Sequence, residues 1–268
     1  MWLPFLALAA AVALVVFWLR AGREESVARR LPGADQAVGA DGAGAVNPAS
    51  LGKVITGGGR PGNEKGDWNQ FRGPERSGIS RKSGNLARGW GASGPRELWA
   101  VDCGEGYAGV AAEDGRVYLM DYDAAQKRGA LRCLSSSDGA EIWRYSYPSA
   151  LKRNHGMTRT VPAIAQGLVV AMDSKCNVLC LDAQTGAWRW SVNLVHDYGA
   201  TIPPWYAGQC PLIDKTNVIL APGGRDALLV ALELGAGKLV WKAPNPRGWK
   251  MTHSSVMPME FAGRRFYV

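Results

Sequence analysis

Three short segments of the chain carry the residue types best suited to binding. The first contains His155 and Arg159, the second contains Trp205, and the third contains His253. An arginine guanidinium can hold an anionic group, and an indole ring can stack on another ring. We therefore take His155, Arg159, Trp205 and His253 as candidate ligand- or partner-binding residues. The same residue types would also suit loops that only pack together, and on the sequence alone we favour that simpler interpretation.

The elements that position these residues form a repeat. Each candidate segment is followed by a short strand of small residues, a turn and a strongly apolar strand. Pro162, Pro211 and Pro258 recur in the first of these strands. Proline inside a strand is typical of a sheet edge, because it has no N–H to donate to a neighbouring strand. The three segments occupy the same point in successive units, so we expect them to gather at one end of the molecule.

A second pattern completes each unit. Leu181 and Asp182 end an apolar strand, Gly186 follows in a turn, and Trp190 lies on the next strand. Asp182 can accept hydrogen bonds from the turn backbone, and Gly186 can adopt the positive φ that the turn requires. The same eleven-residue pattern recurs without gaps at Cys133–Trp143 and at 231–241. Trp99, Trp143, Trp190 and Trp241 are spaced 44, 47 and 51 residues apart, and we predict that all four are structural.

Strand-type repeats of this length predict the blades of a β-propeller. The four-stranded blades run from about residue 107 to 145, from about 158 to 192 and from about 206 to 243. A fourth begins near 253 and reaches only its second strand, and Trp99 belongs to an additional outer strand. Because a propeller avoids exposed edges by closing into a ring, we expect the chain to be a fragment with about half the ring missing.

Composition limits the functions that are open to the chain. Hydrophobic residues make up 47% and charged residues 20% of the sequence, as in folded proteins. The net charge is +8, but Lys and Arg are scattered, so we predict a solvated basic surface and no nucleic-acid binding. The five cysteines form no CxxC pair, which argues against a metal site, and their odd number argues against a complete disulfide framework.

The N-terminal region has a different composition. Residues 2–19 carry no charge, so we predict that residues 1–22 form a transmembrane anchor; the alternative is a cleaved signal peptide. Residues 23–66 are rich in Gly, Ala, Asp, Asn and Pro and are predicted to be a flexible linker, with the propeller over 67–268. Arg20, Arg23, Arg29 and Arg30 follow the apolar segment and would keep the propeller in the cytoplasm.

The repeat resembles that of the quinoprotein-like propeller family, whose outer hairpins carry Ala-x-Asp-x-x-Thr-Gly-x-x-x-Trp. The stretch from Leu181 to Trp190 matches this pattern well, whereas Ser135 and Glu233 replace its Asp in the other copies. The opening residues 68–74 and the stretch 221–232 are also similar to a bacterial subgroup of the family. The resemblance implies a ring of seven or eight blades, often outside the cytoplasm. We therefore expect a periplasmic propeller despite the charges that follow the anchor.

The family implies two classes of function. Some members are alcohol dehydrogenases that hold pyrroloquinoline quinone and calcium, whereas others, like the lipoprotein of outer-membrane assembly, are cofactor-free scaffolds for partner proteins. Many of the dehydrogenases use a disulfide of adjacent cysteines, and no two cysteines are adjacent here. We find no acidic cluster near the predicted channel, as calcium would require. The sequence therefore favours a scaffold without cofactor, and a quinone-dependent dehydrogenase with key residues in a missing half is the alternative.

Overall fold

A computed structural model describes residues 3–21, 46–63, 66–81, 87–154 and 156–268. The chain divides into two compact units, residues 1–34 and residues 35–268. The first unit contains helix α1 (Leu3–Ala21). Among the described residues, no helix combines the length and the apolar character needed to cross a membrane. The transmembrane helix predicted for residues 1–22 is therefore not found.

The second unit consists almost entirely of antiparallel strands, with a 3-10 helix (Pro48–Leu51) and a short helix α2 (Leu194–Tyr198). Its strands are β1 (Lys53–Thr56), β2 (Asp67–Trp68), β3 (Ala111–Glu113), β4 (Arg116–Asp123), β5 (Arg128–Ser135), β6 (Glu141–Pro148), β7 (Ala163–Ala165), β8 (Leu168–Met172), β9 (Asn177–Asp182), β10 (Trp188–Asn193), β11 (Leu212–Asp214), β12 (Asn217–Leu220), β13 (Leu229–Glu233), β14 (Leu239–Ala243), β15 (Pro258–Phe261) and β16 (Arg264–Tyr267).

These strands form successive meanders that correspond to the predicted blades. Blade one contains β3 to β6, blade two β7 to β10 and blade three β11 to β14, each paired in chain order. In the described part of blade four, β15 pairs with β16. Strands β7 and β11 lie at the edges of their sheets and begin directly after Pro162 and Pro211. The predicted all-β architecture of antiparallel sheets is confirmed, with four strands in the sheets of blades two and three and six strands in the sheet that contains blade one.

Alternating side chains of each blade build two different cores. In β9, Leu179 and Leu181 pack with residues of blade one, whereas Val178 and Cys180 pack with residues of blade three. All four of these side chains are fully buried. This two-residue period is what a strand covered on both faces requires. Blade two is therefore held by apolar packing between two neighbouring sheets.

Tryptophans couple each blade to the next through the turn glycines. A Cβ atom added to Gly186 would lie 2.7 Å from Trp143, and one added to Gly237 would lie 2.6 Å from Trp190, so each ring rests directly on a glycine. Both glycines have positive φ, 72° and 67°. The indole N–H of Trp190 donates to the Leu234 carbonyl at 2.8 Å. Only glycine satisfies both the backbone conformation and the close approach of the ring.

The hydrogen bonds of the three turns are equivalent. The N–H groups of Gly139, Gly186 and Gly237 donate to the carbonyls of Ser135, Asp182 and Glu233 at 3.0, 2.9 and 2.8 Å. Asp182 also accepts from the Thr185 N–H at 3.0 Å and from Arg189 at 2.8 Å. We call the three turns, residues 135–140, 182–187 and 233–238, the docking end of the blades.

Two regions differ from the sequence-based expectations. Residues 53–56, assigned to the flexible linker, form β1 and pair with β6 as the outer strand of the first sheet. The preceding 3-10 helix is held by Tyr145, whose hydroxyl donates to the Ala49 carbonyl at 2.8 Å. Trp99 lies outside any strand, contrary to the prediction. Its indole N–H still donates to the Ser136 carbonyl at 2.8 Å, so the ring reaches the turn of blade one without strand pairing.

Candidate functional site

The end of the blades opposite the docking end is formed by the loops that enter each inner strand. We call the loops 149–162, 198–211 and 244–257 the mouth. They include the three candidate segments singled out in the sequence, although His155 lies outside the described residues. Unlike the docking turns, these loops share no common hydrogen-bond pattern. Their contacts run from one loop to the next.

Tyr206 joins the first two mouth loops. Its hydroxyl donates to the Lys152 carbonyl at 2.7 Å and accepts from the Lys152 N–H at 3.2 Å. Nearby, the side-chain amide of Asn154 donates to the Pro204 carbonyl at 2.7 Å. Tyr206 is buried and has a φ of 66°, a backbone conformation that is rare for a bulky residue. The second loop is therefore held in a defined shape beside Trp205.

His253 joins the third loop to the second. Its Nε2 lies 3.0 Å from the Tyr206 carbonyl oxygen, so this nitrogen carries the proton when the bond forms. The imidazole packs against Gly208, where an added Cβ would lie 2.5 Å from the ring. The structure thus brings the Trp205–Tyr206 segment and His253 together, as the repeat position predicts. Their roles in binding stay a prediction.

Arg159 and Trp205 are both half-buried at the mouth. Burial lowers the pKa of the Arg159 guanidinium below its ordinary value, and Tyr107 opposes that shift. A guanidinium nevertheless stays charged in proteins, so Arg159 provides a positive charge in a partly desolvated place. Such a charge attracts anionic groups more strongly than a fully solvated one.

A strap formed by residues 67–78 crosses the inner strands of the blades. Strand β2 pairs with β3 of blade one, and the Asn69 carbonyl accepts from the Ile164 N–H of blade two at 2.8 Å. Arg76 then reaches blades three and four, donating to the Pro211 carbonyl at 3.3 Å and to the Met257 sulfur at 3.5 Å. The strap therefore contacts residues of all four blades.

Arg76 is the buried cation of this strap. Its side chain is 1% exposed, lies with its guanidinium carbon 5.6 Å from the centre of the Phe71 ring, and donates to Gln70 Oε1 at 3.3 Å. Desolvation lowers its pKa, a shift that the Cys210 thiol opposes and Arg72 reinforces. The sequence patterns did not single out Arg76. Its partners at Pro211 and Met257 are far away along the chain, so no local pattern indicated them.

The sequence matches the model of one protein family over residues 87–253, more than half of the chain. That family is described as outer membrane protein assembly factor BamB. The chain belongs to the BamB family. The match covers the three complete blades and most of the mouth, including Arg159, Trp205 and His253. No curated protein matches the sequence.

Solved structures show a partial resemblance to this member of the BamB family. BamB from Moraxella catarrhalis is 18% identical with a TM-score of 0.39, and the alignment covers 55% of this chain and 39% of that one. Quinohemoprotein alcohol dehydrogenase from Pseudomonas putida HK5 is 16% identical with a TM-score of 0.41. That alignment covers 60% of this chain and 30% of the dehydrogenase. The chain thus spans less than half the length of either structure. At this distance, the similarities carry no argument about function.

Two observations on the described residues bear on whether they could hold calcium and a quinone. Among them, no group of three or more His, Cys, Asp or Glu residues lies close enough together to hold a metal ion. All five cysteines are free thiols, and burial raises the pKa of Cys133 and of Cys180 to about 12. Such thiols stay protonated at neutral pH and are poor ligands or nucleophiles. We therefore derive no chemistry from a quinone in this part of the chain.

Proposed function

We propose that this BamB-family chain is a scaffold that binds a partner protein at the mouth, with Arg159, Trp205 and His253 in the contact surface. His155 belongs to the same predicted surface. One observation carries the proposal: hydrogen bonds through Tyr206 and His253 join the three mouth loops into a single surface. A surface that is already ordered loses less conformational entropy when it binds.

The partner we propose is a protein of outer-membrane protein assembly. This part of the proposal rests on the printed description of the family. We also propose that the propeller lies on the periplasmic side of the cell membrane. A reporter enzyme that is active only outside the cytoplasm, fused after Val268, would test that location. Activity of the fusion supports it, and an inactive but folded fusion contradicts it.

The binding surface can be tested by photo-crosslinking in cells. A photoreactive phenylalanine analogue placed at Trp205 should form an adduct with one envelope protein, because this half-buried side chain lies within the mouth. The matched control carries the same analogue at Lys238, an exposed residue of a docking turn. Equal adducts at both positions, or none at position 205 in well-expressed protein, would contradict the proposal.

The dehydrogenase alternative can be tested separately. The complete product of the parent gene would be titrated with pyrroloquinoline quinone and calcium while tryptophan fluorescence and dye-linked alcohol oxidation are followed. The scaffold proposal predicts neither saturable quenching nor turnover. Saturable quenching with turnover would overturn it in favour of the dehydrogenase.

A further inference from the structure

A pocket of about 610 Å³ lies between blades three and four, next to the third mouth loop. Leu228 and Leu229 form one wall, Val256 and Tyr267 form another, and Trp249 stands at the rim. We call this the blade three–four pocket. Its size is within the range of pockets that bind small molecules or a few side chains of a peptide.

Two polar side chains of this pocket, Gln209 and Ser255, already have partners inside the protein. The Gln209 side chain donates to the Ala221 carbonyl at 3.0 Å and accepts from the Ala221 N–H at 2.8 Å. The Ser255 hydroxyl accepts from the Cys210 N–H at 2.9 Å. Because these groups are satisfied, the pocket offers mainly apolar surface to an occupant.

The rim of the pocket carries positive charge. Lys250 lines it, and the Arg247 guanidinium carbon lies 5.4 Å from the centre of the Trp249 ring, which is 54% exposed. Within the described part of the chain, neither Lys250 nor Arg247 has a carboxylate within 4.0 Å.

Several other exposed arginines of the chain do have such partners, although Arg60 and Arg264 have no ion pair among the described residues. Examples of the pairs are Arg153 with Glu105, Arg225 with Asp226, and Arg265 with Asp214 and Glu260. Among the described residues, no acidic side chain within 4.0 Å neutralises the positive charge of Lys250 and Arg247 at the rim of the blade three–four pocket.

We propose that the blade three–four pocket binds an acidic, extended segment of the partner protein. Apolar side chains of the segment enter between Leu228 and Val256, and its carboxylates face Lys250 and Arg247. Apolar burial supplies the affinity, and the charges select acidic over basic sequences. This inference rests on the proposed scaffold function, which it extends from the mouth to a defined pocket and a defined partner chemistry.

The probe is a fluorescein-labelled peptide in which Phe and Leu alternate with Asp and Glu. Binding to the full chain is measured by fluorescence anisotropy, at low and at high salt. The peptide should bind saturably, and its affinity should fall as salt is added. Exchanging its Asp and Glu for Lys should abolish binding. A double variant, Arg247→Glu with Lys250→Glu, should weaken binding by about tenfold.

The matched control is Lys238→Glu, which makes the same kind of charge change in an exposed turn at the docking end. It should leave the affinity unchanged. Trp249→Ala should weaken binding about fivefold because it removes the ring at the rim. All of these side chains are exposed, so the melting temperatures should match that of the parent.

Three results would overturn the inference: no saturable binding of the acidic peptide, equal binding of the basic peptide, or unchanged affinity in the double variant. The photo-crosslink at position 205 then separates the two proposals. If the crosslink persists while the peptide fails, the scaffold function stands and the blade three–four pocket is not its acidic-segment site. If both fail, the scaffold function fails as well.

Discussion

The two ends of the blades are built in opposite ways. At the docking end, three turns repeat the same hydrogen bonds, and tryptophans rest on glycines with positive φ. At the mouth, each loop is different, and contacts such as those of Tyr206 and His253 run between loops. The hydrogen bonds repeat at the end where each blade must pack against the next blade in the same way. The loops differ at the mouth, which is the end where we propose that a partner binds.

The largest effect is expected from Trp190→Ala at the docking end. The Trp190 side chain is 5% exposed and lies in the core between blades two and three. Its removal leaves a cavity and the Leu234 carbonyl without its indole donor, so unfolding should become easier by about 3–5 kcal/mol. Urea denaturation measures this. A variant as stable as the parent would show that the docking tryptophan is not a structural element.

Comparing two glycines can separate the contact between Gly186 and the Trp143 ring from the effect of backbone strain. Gly186 and Gly167 have nearly equal φ, 72° and 74°, but a Cβ at Gly186 would lie 2.7 Å from Trp143, whereas nothing lies within 4 Å at Gly167. Gly167→Ala should cost about 1 kcal/mol from the backbone alone. Gly186→Ala should cost at least about 2 kcal/mol, because the ring must also move. Equal losses of stability would mean that the contact with Trp143 contributes nothing.

Trp241 occupies the same repeat position as Trp190 but in different surroundings. It is only half-buried and packs on Tyr267, with ring centres 5.7 Å apart. Trp241→Ala should therefore cost about 1 kcal/mol, much less than Trp190→Ala. Thermal unfolding of the two variants side by side makes the comparison. A loss as large as that of Trp190→Ala would show that burial does not control the contribution of this position.

The smallest effect concerns acid stability at the turn of blade two. Partial burial acts to raise the pKa of Asp182, but hydrogen bonds from Arg189, Thr185 and Gln184 outweigh it and lower that pKa. Folding thus favours the ionised form of Asp182. Its contribution to the free energy of unfolding is present above about pH 4, and it is lost as the pH falls through the lowered pKa of the folded state.

Asp182→Asn is the variant that tests this. Its free energy of unfolding should be lower than that of the parent by about 1 kcal/mol at neutral pH, and the gap should close in acid. A gap that is independent of pH would rule out the charge of Asp182 as the cause.

Local patterns in the sequence predicted the docking end because its determinants lie within eleven residues. The turn from Asp182 to Gly186 and the position of Trp190 are all readable from neighbours in the chain. The same reasoning missed β1, since a strand in a glycine-rich stretch is defined only by its pairing with β6. It also missed Arg76, whose contacts at Pro211 and Met257 depend on the assembled blades.

At the mouth, the repeat register predicted which segments meet but not how they meet. Trp205 and His253 were chosen for their residue types, whereas the contacts between loops are made largely through backbone atoms of Lys152, Pro204 and Tyr206. Backbone carbonyls carry no sequence signature, so these bonds could not be predicted. The blade three–four pocket was missed for a similar reason, because its walls come from separate strands and loops.

We propose that the docking end stabilises the fold and that the mouth binds the partner. The most direct test measures both properties on the same two variants, Trp190→Ala and Trp205→Ala, using melting temperature and affinity for the protein captured by the crosslink at position 205. We predict that Trp190→Ala melts at a lower temperature and that its folded fraction binds normally. We predict that Trp205→Ala melts like the parent and binds at least about tenfold more weakly. A Trp205→Ala variant that binds like the parent would contradict the account.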